Sequence, residues 1–309
     1  ATRVQEQGSQ GRSLNYQVET LVFGQAVERG LHPERIIIGC ARSKDPLPSA
    51  YAAWVARFAC PLLPMRYESA ELAKIAINMF LVSSVSTTNM LSEVCEAIGA
   101  DWSDIAPALA MDRRIGPHAY LTPGLGLAGG NLERDLATVK ALADTHGTEA
   151  GVVDAWRSHS AHRRDWALTV LHATVLSRCS DPRIAVWGLA YKAHTDSTKQ
   201  SPAVALLEAL RVFEVRVYDP RATLNGAGHA SGRLAQVASA LEACQGADAL
   251  AIMTPWPEFA QVNLREMRAA MKGRVIVDPF GVLDEDGCAT LGFAHARLGT
   301  AWQPQALPA

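Results

Sequence analysis

The sequence predicts an α/β protein in which a helical middle precedes a doubly wound parallel sheet, and three observations carry that prediction. Apolar runs at 183–187, 215–219, 249–253 and 274–278 alternate with helix-like segments, the βαβ rhythm of a parallel sheet whose ligands sit at the strand carboxyl ends. Residues 67–180 read as helical. Residues 15–66 contain one short strand and one helix, too little to bury a sheet alone. The predicted division is therefore 1–66, 67–180 and 181–309.

The chain begins Ala1-Thr2-Arg3 and runs through a polar, Gln- and Gly-rich stretch, so the first block is expected to be the tail of a domain whose beginning lies upstream. In it, Ile36-Ile37-Ile38-Gly39 is a β-branched run bounded by glycine, which predicts a buried strand. A helix is predicted over 50–57. In the second block Ser69 can cap a long helix, with Glu71 in its first turn and Gly99 at its end. Lys74 and Asn78 are four apart, one turn along a single face. Asp135 opens the next helix after a glycine-rich loop, and a third is predicted over 152–178. In the third block, helices are predicted at 202–212, 234–244 and 264–271 between the four strands. The ligand is expected near Gly188 to Lys192, Asp219 and Thr254.

Composition narrows the function classes. With 309 residues, 49% hydrophobic content, 19% charge and a net charge of -2, the chain is long enough for two or three modest cores. Its basic residues are scattered, without the stripe that a nucleic-acid surface needs. No apolar run reaches the ~18–20 residues of a membrane span, and no signal peptide is read. Six cysteines stand far apart, with no C-x-x-C pair and no Cys/His cluster, so no metal site is expected and the cytoplasm is the expected compartment.

Gly124-Leu125-Gly126-Leu127-Ala128-Gly129 matches the dinucleotide fingerprint G-x-G-x-x-G, and Asp144 follows at a suitable distance. The fingerprint must leave a buried strand, whereas the residues before it end in Pro123 within a helical block. A turn that packs closely on backbone, or a loop whose bare amides approach a nucleotide, fits better.

Six segments in register carry a resemblance. They are the helix from Ser69 to Phe80 (S-A-E-x-x-K-x-x-x-N-x-F); Arg113-Arg114-Ile115-Gly116-Pro117 (R-I-G-P); the loop from Pro123 to Asp135 (P-G-x-G-F-G-G-S-C-F-P-K-D); Val186 to Lys192 (G-L-A-F-K); Val217 to Pro220; and Ala247 to Phe259. By these the chain is identified as a member of the UDP-glucose/GDP-mannose dehydrogenase family. Val18 to Gly24 is a fainter echo of P-E-F-L-R-E-G.

The resemblance implies an N-terminal Rossmann domain for NAD, of which 1–66 is a remnant, a central helical dimerisation domain and a C-terminal nucleotide-sugar domain. It implies oxidation at C6 of a UDP- or GDP-linked hexose, as in polysaccharide biosynthesis, and a homodimer formed through the 69–99 helix. Lys74 takes the place of the lysine that donates to the developing oxyanion, Asn78 of its partner, and Asp135 of the carboxylate that assists proton movement. Glu19, Arg114, Gly124, Gly126, Gly129, Gly130 and Lys192 fall at substrate-binding positions, and Lys199 at a cofactor-binding one.

Asn131 stands at the nucleophilic cysteine. The family thiolate adds to the aldehyde and leaves a thioester for water, whereas an amide offers hydrogen bonds but no useful nucleophile. Phe23, Leu132-Glu133-Arg134, Lys199 and Asp278-Pro279-Phe280-Gly281 depart from the pattern as well. Two expectations follow: an oxidoreductase that stops at the aldehyde or proceeds through its hydrate, and a silent relative that binds a nucleotide sugar or pairs with an active paralogue. A third has 181–309 as a second dinucleotide domain, with Asp219 as a ribose-binding acid.

Overall fold

The structure is a computed structural model that describes residues 14–21, 24–224 and 232–302. It divides into two compact units, 1–80 and 81–309.

In the first unit β1 (Tyr16–Gln17) is followed by α1 (Ala26–Leu31), β2 (Ile36–Cys40), α2 (Ser49–Val55) and β3 (Leu62–Arg66). The sheet order is β1-β2-β3, antiparallel then parallel, with Tyr16 opposite Gly39 and Ile36 opposite Leu62. The expectation of a single strand is thus corrected. β1 has two residues, and β3 carries Pro64, so neither shows a β-branched run. All five residues of β2 are buried, because both faces are covered. Ile36 and Ile38 pack with Val55 on one side, and Ile37 packs with Val18 and Ala70 on the other. Each isoleucine so buried contributes about 1.5–3 kcal/mol.

α3 (Tyr67–Ile98) starts directly after β3, two residues before the predicted cap. Tyr67 holds that start by donating its hydroxyl to the Leu14 carbonyl at 2.6 Å. Among the described residues it is the one helix long and apolar enough to cross a bilayer, with a mean hydropathy of 1.2 over its most apolar window, contrary to the absence of such a run expected from sequence. Its later turns bury Ser86, Thr88, Asn89 and Ser92, and Thr88 donates to the Tyr120 carbonyl at 2.7 Å. These polar groups are satisfied by protein.

The second unit continues with α4 (Trp102–Met111), α5 (Asn131–His146), α6 (Gly151–Arg164) and α7 (Trp166–Leu171), then a π-helical stretch, His172–Leu176. The single helix predicted over 152–178 breaks at Asp165, which leaves helical geometry at φ -86, ψ 2. The Trp166 indole donates to Glu96 Oε2 at 2.9 Å, a tertiary contact that sets the new direction. α5 begins four residues before Asp135, because Gly130 supplies the left-handed N-cap at φ 82.

The large sheet comprises β4 (Arg183–Trp187), β5 (Glu214–Tyr218), β6 (Leu234–Gln236), β7 (Ala249–Ile252), β8 (Val275–Val277) and β9 (Ala294–Ala296), with α8 (Pro202–Ala209), α9 (Ala240–Ala243), α10 (Leu264–Ala270) and α11 (Glu285–Thr290). The order is β6-β5-β4-β7-β8-β9, parallel throughout. That order places the topological switch between β4 and β7, where such sheets open a ligand crevice.

The helix predicted over 234–244 is corrected. Leu234–Gln236 pairs with β5, where Val215 N–H donates to the Arg233 carbonyl and Val237 N–H to the Val217 carbonyl. Helix begins only after Ser239, whose hydroxyl accepts from Glu242 N–H at 3.1 Å. The backbone groups along β5 need partners, and that need overrides a helix-favouring sequence.

Candidate functional site

The 123–130 loop packs closely against α6 and the 191–200 segment at glycines where a side chain would be strained. A β-carbon on Gly126 would lie 2.4 Å from the Ser160 carbonyl oxygen, one on Gly129 would lie 2.6 Å from the Tyr191 ring, and one on Gly130 would lie 2.7 Å from Gln200 Oε1. All three glycines have positive φ, which other residues adopt only under strain. Leu127 N–H donates to Ser160 Oγ at 2.7 Å and Gly124 N–H to Asn89 Oδ1 at 2.8 Å. The 123–130 loop is therefore fixed from α3, α6 and the 191–200 segment. No strand leads directly into it, whereas the dinucleotide fingerprint requires one.

The loop delivers Asn131 as the exposed first residue of α5, with Asp135 one turn later and buried. Arg134 Nη2 lies 3.0 Å from Asp135 Oδ1. In the first unit Lys74 and Asn78 stand one turn apart on α3, both half-buried. Glu19 follows β1, its carboxylate accepting from Leu21 N–H, and it lines a pocket of about 250 Å³ with Arg29, Arg35 and Phe58. Phe23 lies outside the described residues. Arg114 is exposed on the turn after α4, its guanidinium held by Asp112 at 2.6 Å, and that contact pulls the Asp112 carboxyl below its usual range.

At the switch point of the sheet, Gly188 takes φ 94 where a β-carbon would strike Thr254 at 2.4 Å. Thr254 in turn donates its hydroxyl to the Ala190 carbonyl at 2.6 Å. Asp219 Oδ2 accepts from Leu189 N–H, Ala190 N–H and the Trp256 indole, and Oδ1 from Arg221 N–H and Ala222 N–H. This carboxylate is spent on building the turn. The reading of Asp219 as a ribose acid of a second dinucleotide domain is corrected accordingly. Lys192 sits half-buried beside the turn, with Nζ 5.7 Å from the Tyr191 ring centre, and burial pushes its pKa down. Asp278, buried after β8, accepts from Phe280 N–H and Leu283 N–H, so it too organises its own loop.

A cleft of about 1120 Å³ opens between α5, α6 and α8. Its walls include Gly130, Glu133, Arg134, Arg157, Arg164 and Lys199 but neither Asn131 nor Asp135. Those two residues share one face of α5, and Glu133 lies roughly 160° away round the helix. Arg157 and Gln200 escaped the sequence reading, in which Glu133 stood only as a departure from the family pattern and Tyr191 only as part of a matching segment. The adjacent glycines 129 and 130 were the available signal, since bare α-carbons in a pair imply bulky neighbours.

Behind the loop, His159 on α6 is half-buried, and its Nε2 has no hydrogen-bond partner among the described residues. Burial lowers its pKa from the ordinary 6.5; Arg163 and His162 lower it further, and Glu93 opposes them. Near neutral pH the folded and unfolded imidazoles are both uncharged, so His159 costs nothing there. As pH falls through the unfolded value the unfolded chain takes up the proton first, and stability is lost until the folded ring also titrates. His159→Gln is expected to flatten the decline in unfolding midpoint between about pH 7 and 5. Parallel midpoint curves for the two proteins would exclude this role.

Comparison with known proteins places these features. A family model described as UDP-glucose/GDP-mannose dehydrogenase family, central domain, matches 68–161, and one described as the UDP binding domain of that family matches 185–285. A UDP-glucose 6-dehydrogenase of Pseudomonas aeruginosa is 31% identical over 290 residues, 91% of this chain and 64% of that protein. One from Rhizobium meliloti is 30% identical over 91% of this chain and 65% of its own length. Among solved structures, a UDP-glucose dehydrogenase from Pyrobaculum islandicum matches with a TM-score of 0.79 at 24% identity, over 97% of this chain and 66% of its own. A UDP-D-ManNAc dehydrogenase from Pyrococcus horikoshii gives 0.78 at 24% identity, over 96% and 68%. These two share the fold. The chain thus spans about two thirds of the length of the relatives it matches.

Proposed function

The chain belongs to the UDP-glucose/GDP-mannose dehydrogenase family, and from that premise we propose that it serves NAD-dependent oxidation at C6 of a nucleotide sugar and stops at the aldehyde. The observation that carries the reading is Asn131, an amide on the first residue of α5, with Asp135 retained one turn on. NAD, when bound, accepts the hydride. Lys199 is the residue of this chain that would touch it; the described residues contain no strand followed by a glycine fingerprint. Lys74 steadies the C6 oxygen as negative charge develops, Asn78 orients it, and Asp135 takes the hydroxyl proton. Glu19, Arg114, Lys192 and Gly124, Gly126, Gly129 and Gly130 hold the nucleotide sugar. Without a thiol the aldehyde has no route to a thioester.

The domains in this reading are a Rossmann remnant at 1–66, a dimerising middle at 67–180 and the nucleotide-sugar domain at 181–309. Leu91, Val94 and Ile98 are exposed at helical spacing on α3, an apolar stripe that supports dimerisation there.

The test is to count NADH formed per UDP- or GDP-sugar consumed by the intact protein, complete with its NAD-binding domain, with semicarbazide present to trap aldehyde, and to sediment the same preparation. One NADH, trapped aldehyde and a dimer are expected. Two NADH would contradict the stop at aldehyde, and a monomer would remove the dimer. Asn131 together with Lys199 in an arginine position favours a second reading, a silent nucleotide-sugar-binding relative. Its signature is no NADH with binding retained.

A further inference from the structure

We propose that the face of α6 turned towards α3 is a pH-sensitive latch on the glycine loop: a proton on His159 drives α6 away from α3 and takes Ser160 out of its bond to Leu127. One stretch of α6 carries both halves of the device. Ser160 Oγ accepts from Leu127 N–H at 2.7 Å, and its carbonyl oxygen packs so closely on Gly126 that a β-carbon there would lie 2.4 Å away. The loop that presents Asn131 must follow α6.

The same stretch holds α6 to α3 by charge. His162 Nε2 lies 2.6 Å from Glu93 Oε1, and Arg163 lies 2.7 Å from Glu96 and 3.7 Å from Glu93. His159 lies beside His162, with ring centres 6.1 Å apart. The charged and titratable groups that face it are Glu93 from α3 and His162 and Arg163 from α6 itself. With both imidazoles neutral, Arg163 stands alone against the two carboxylates. With both charged, three cations stand against the same two.

The two histidines differ in what a proton does. On His162 it completes an ion pair with Glu93. On His159 it makes both ring nitrogens donors, while the buried Nε2 has no acceptor among the described residues. A buried donor left unmatched is costly, and more so when charged. Glu93 is the carboxylate that His159 faces, and His162 and Arg163 already occupy it. Parting the helices admits water to the imidazolium, and Ser160 moves with α6. Burial lowers the His159 pKa in the closed joint, so the open form takes the proton first and gains population as pH falls through the ordinary 6.5. Acid thus loosens the loop whatever ligand the loop presents, and the latch does not depend on the dehydrogenase reading.

The experiment follows amide hydrogen exchange in the full chain by mass spectrometry. It reads the ratio of the protection factor in peptides covering 123–130 to that in peptides covering β4, an interior strand of the large sheet that reports global opening. The ratio is expected to fall about tenfold from pH 7 to pH 5 and to stay level in His159→Gln. A level ratio in the unaltered chain, or a fall that persists in a folded His159→Gln protein, overturns the proposal. Should His159→Gln not fold, Ser160→Ala gives a second reading, since its ratio should already be low at pH 7 and independent of pH. A Ser160→Ala ratio that still falls with acid overturns the proposal as well.

Discussion

Replacing Asn131 with cysteine is expected to raise the yield from one NADH per nucleotide sugar to two. Asn131 is exposed and is the first residue of α5, so a smaller side chain there disturbs no packing. The helix N-terminus offers unpaired N–H groups and the positive end of the dipole, which stabilises an anion by about 0.3–1 kcal/mol, or up to about one pKa unit. A thiol at 131 should therefore titrate below the ~8.5 of free cysteine. The pH dependence of alkylation by iodoacetamide reads that pKa directly. Thiohemiacetal formation then gives the second hydride a donor carbon, and thioester hydrolysis releases the acid. A variant that alkylates readily below pH 8 yet still halts at one NADH would show that something other than the missing thiol stops the reaction.

Much of the fold was open to sequence reasoning because its signals are local. β4, β7 and β8 are short apolar runs buried on both faces, and such runs betray a parallel strand wherever they occur, while β5 alternates buried valines with half-exposed residues. The βαβ rhythm then follows without knowledge of any contact. What stayed hidden depends on partners far along the chain. β6 carries a helix-like sequence and becomes a strand because β5 requires one beside it. β1 and β3 exist because β2 recruits them. The break at Asp165 depends on an indole reaching Glu96.

The site divides in the same way. Lys74, Asn78, Asn131 and Asp135 were singled out by the family resemblance, and each pair lies one turn apart on its helix. Asp219 shows what the sequence hides, since its carboxylate is taken up by five backbone and indole donors. Glu133 was visible only as a departure from the family pattern, because burial of a single oxygen leaves no trace in sequence.

Glu96→Leu is expected to destabilise the second unit by at most about 3–5 kcal/mol, because it leaves the buried Arg163 guanidinium with only its longer contact to Glu93. Arg163 is only 1% exposed, and its Nη2 donates to Glu96 Oε1 at 2.7 Å. The nearest other carboxylate is Glu93, at 3.7 Å. Glu96 also accepts from the Trp166 indole and from Gly299 N–H at 2.9 Å each, so it ties α6, α7 and the chain after β9 to α3. Arg163 lies three residues from Ser160, the group that fixes the glycine loop through Leu127. Loss of the pair should therefore loosen the segment that presents Asn131, and nucleotide-sugar affinity should fall with the unfolding midpoint. Arg163→Met added to Glu96→Leu removes the stranded charge and replaces it with apolar volume, so the double variant should recover a large part of the loss. Urea unfolding of the two single variants and the double one supplies the cycle. A double variant no more stable than Glu96→Leu alone would mean that the damage lies in the lost hydrogen bonds of Glu96 and not in the unpaired guanidinium.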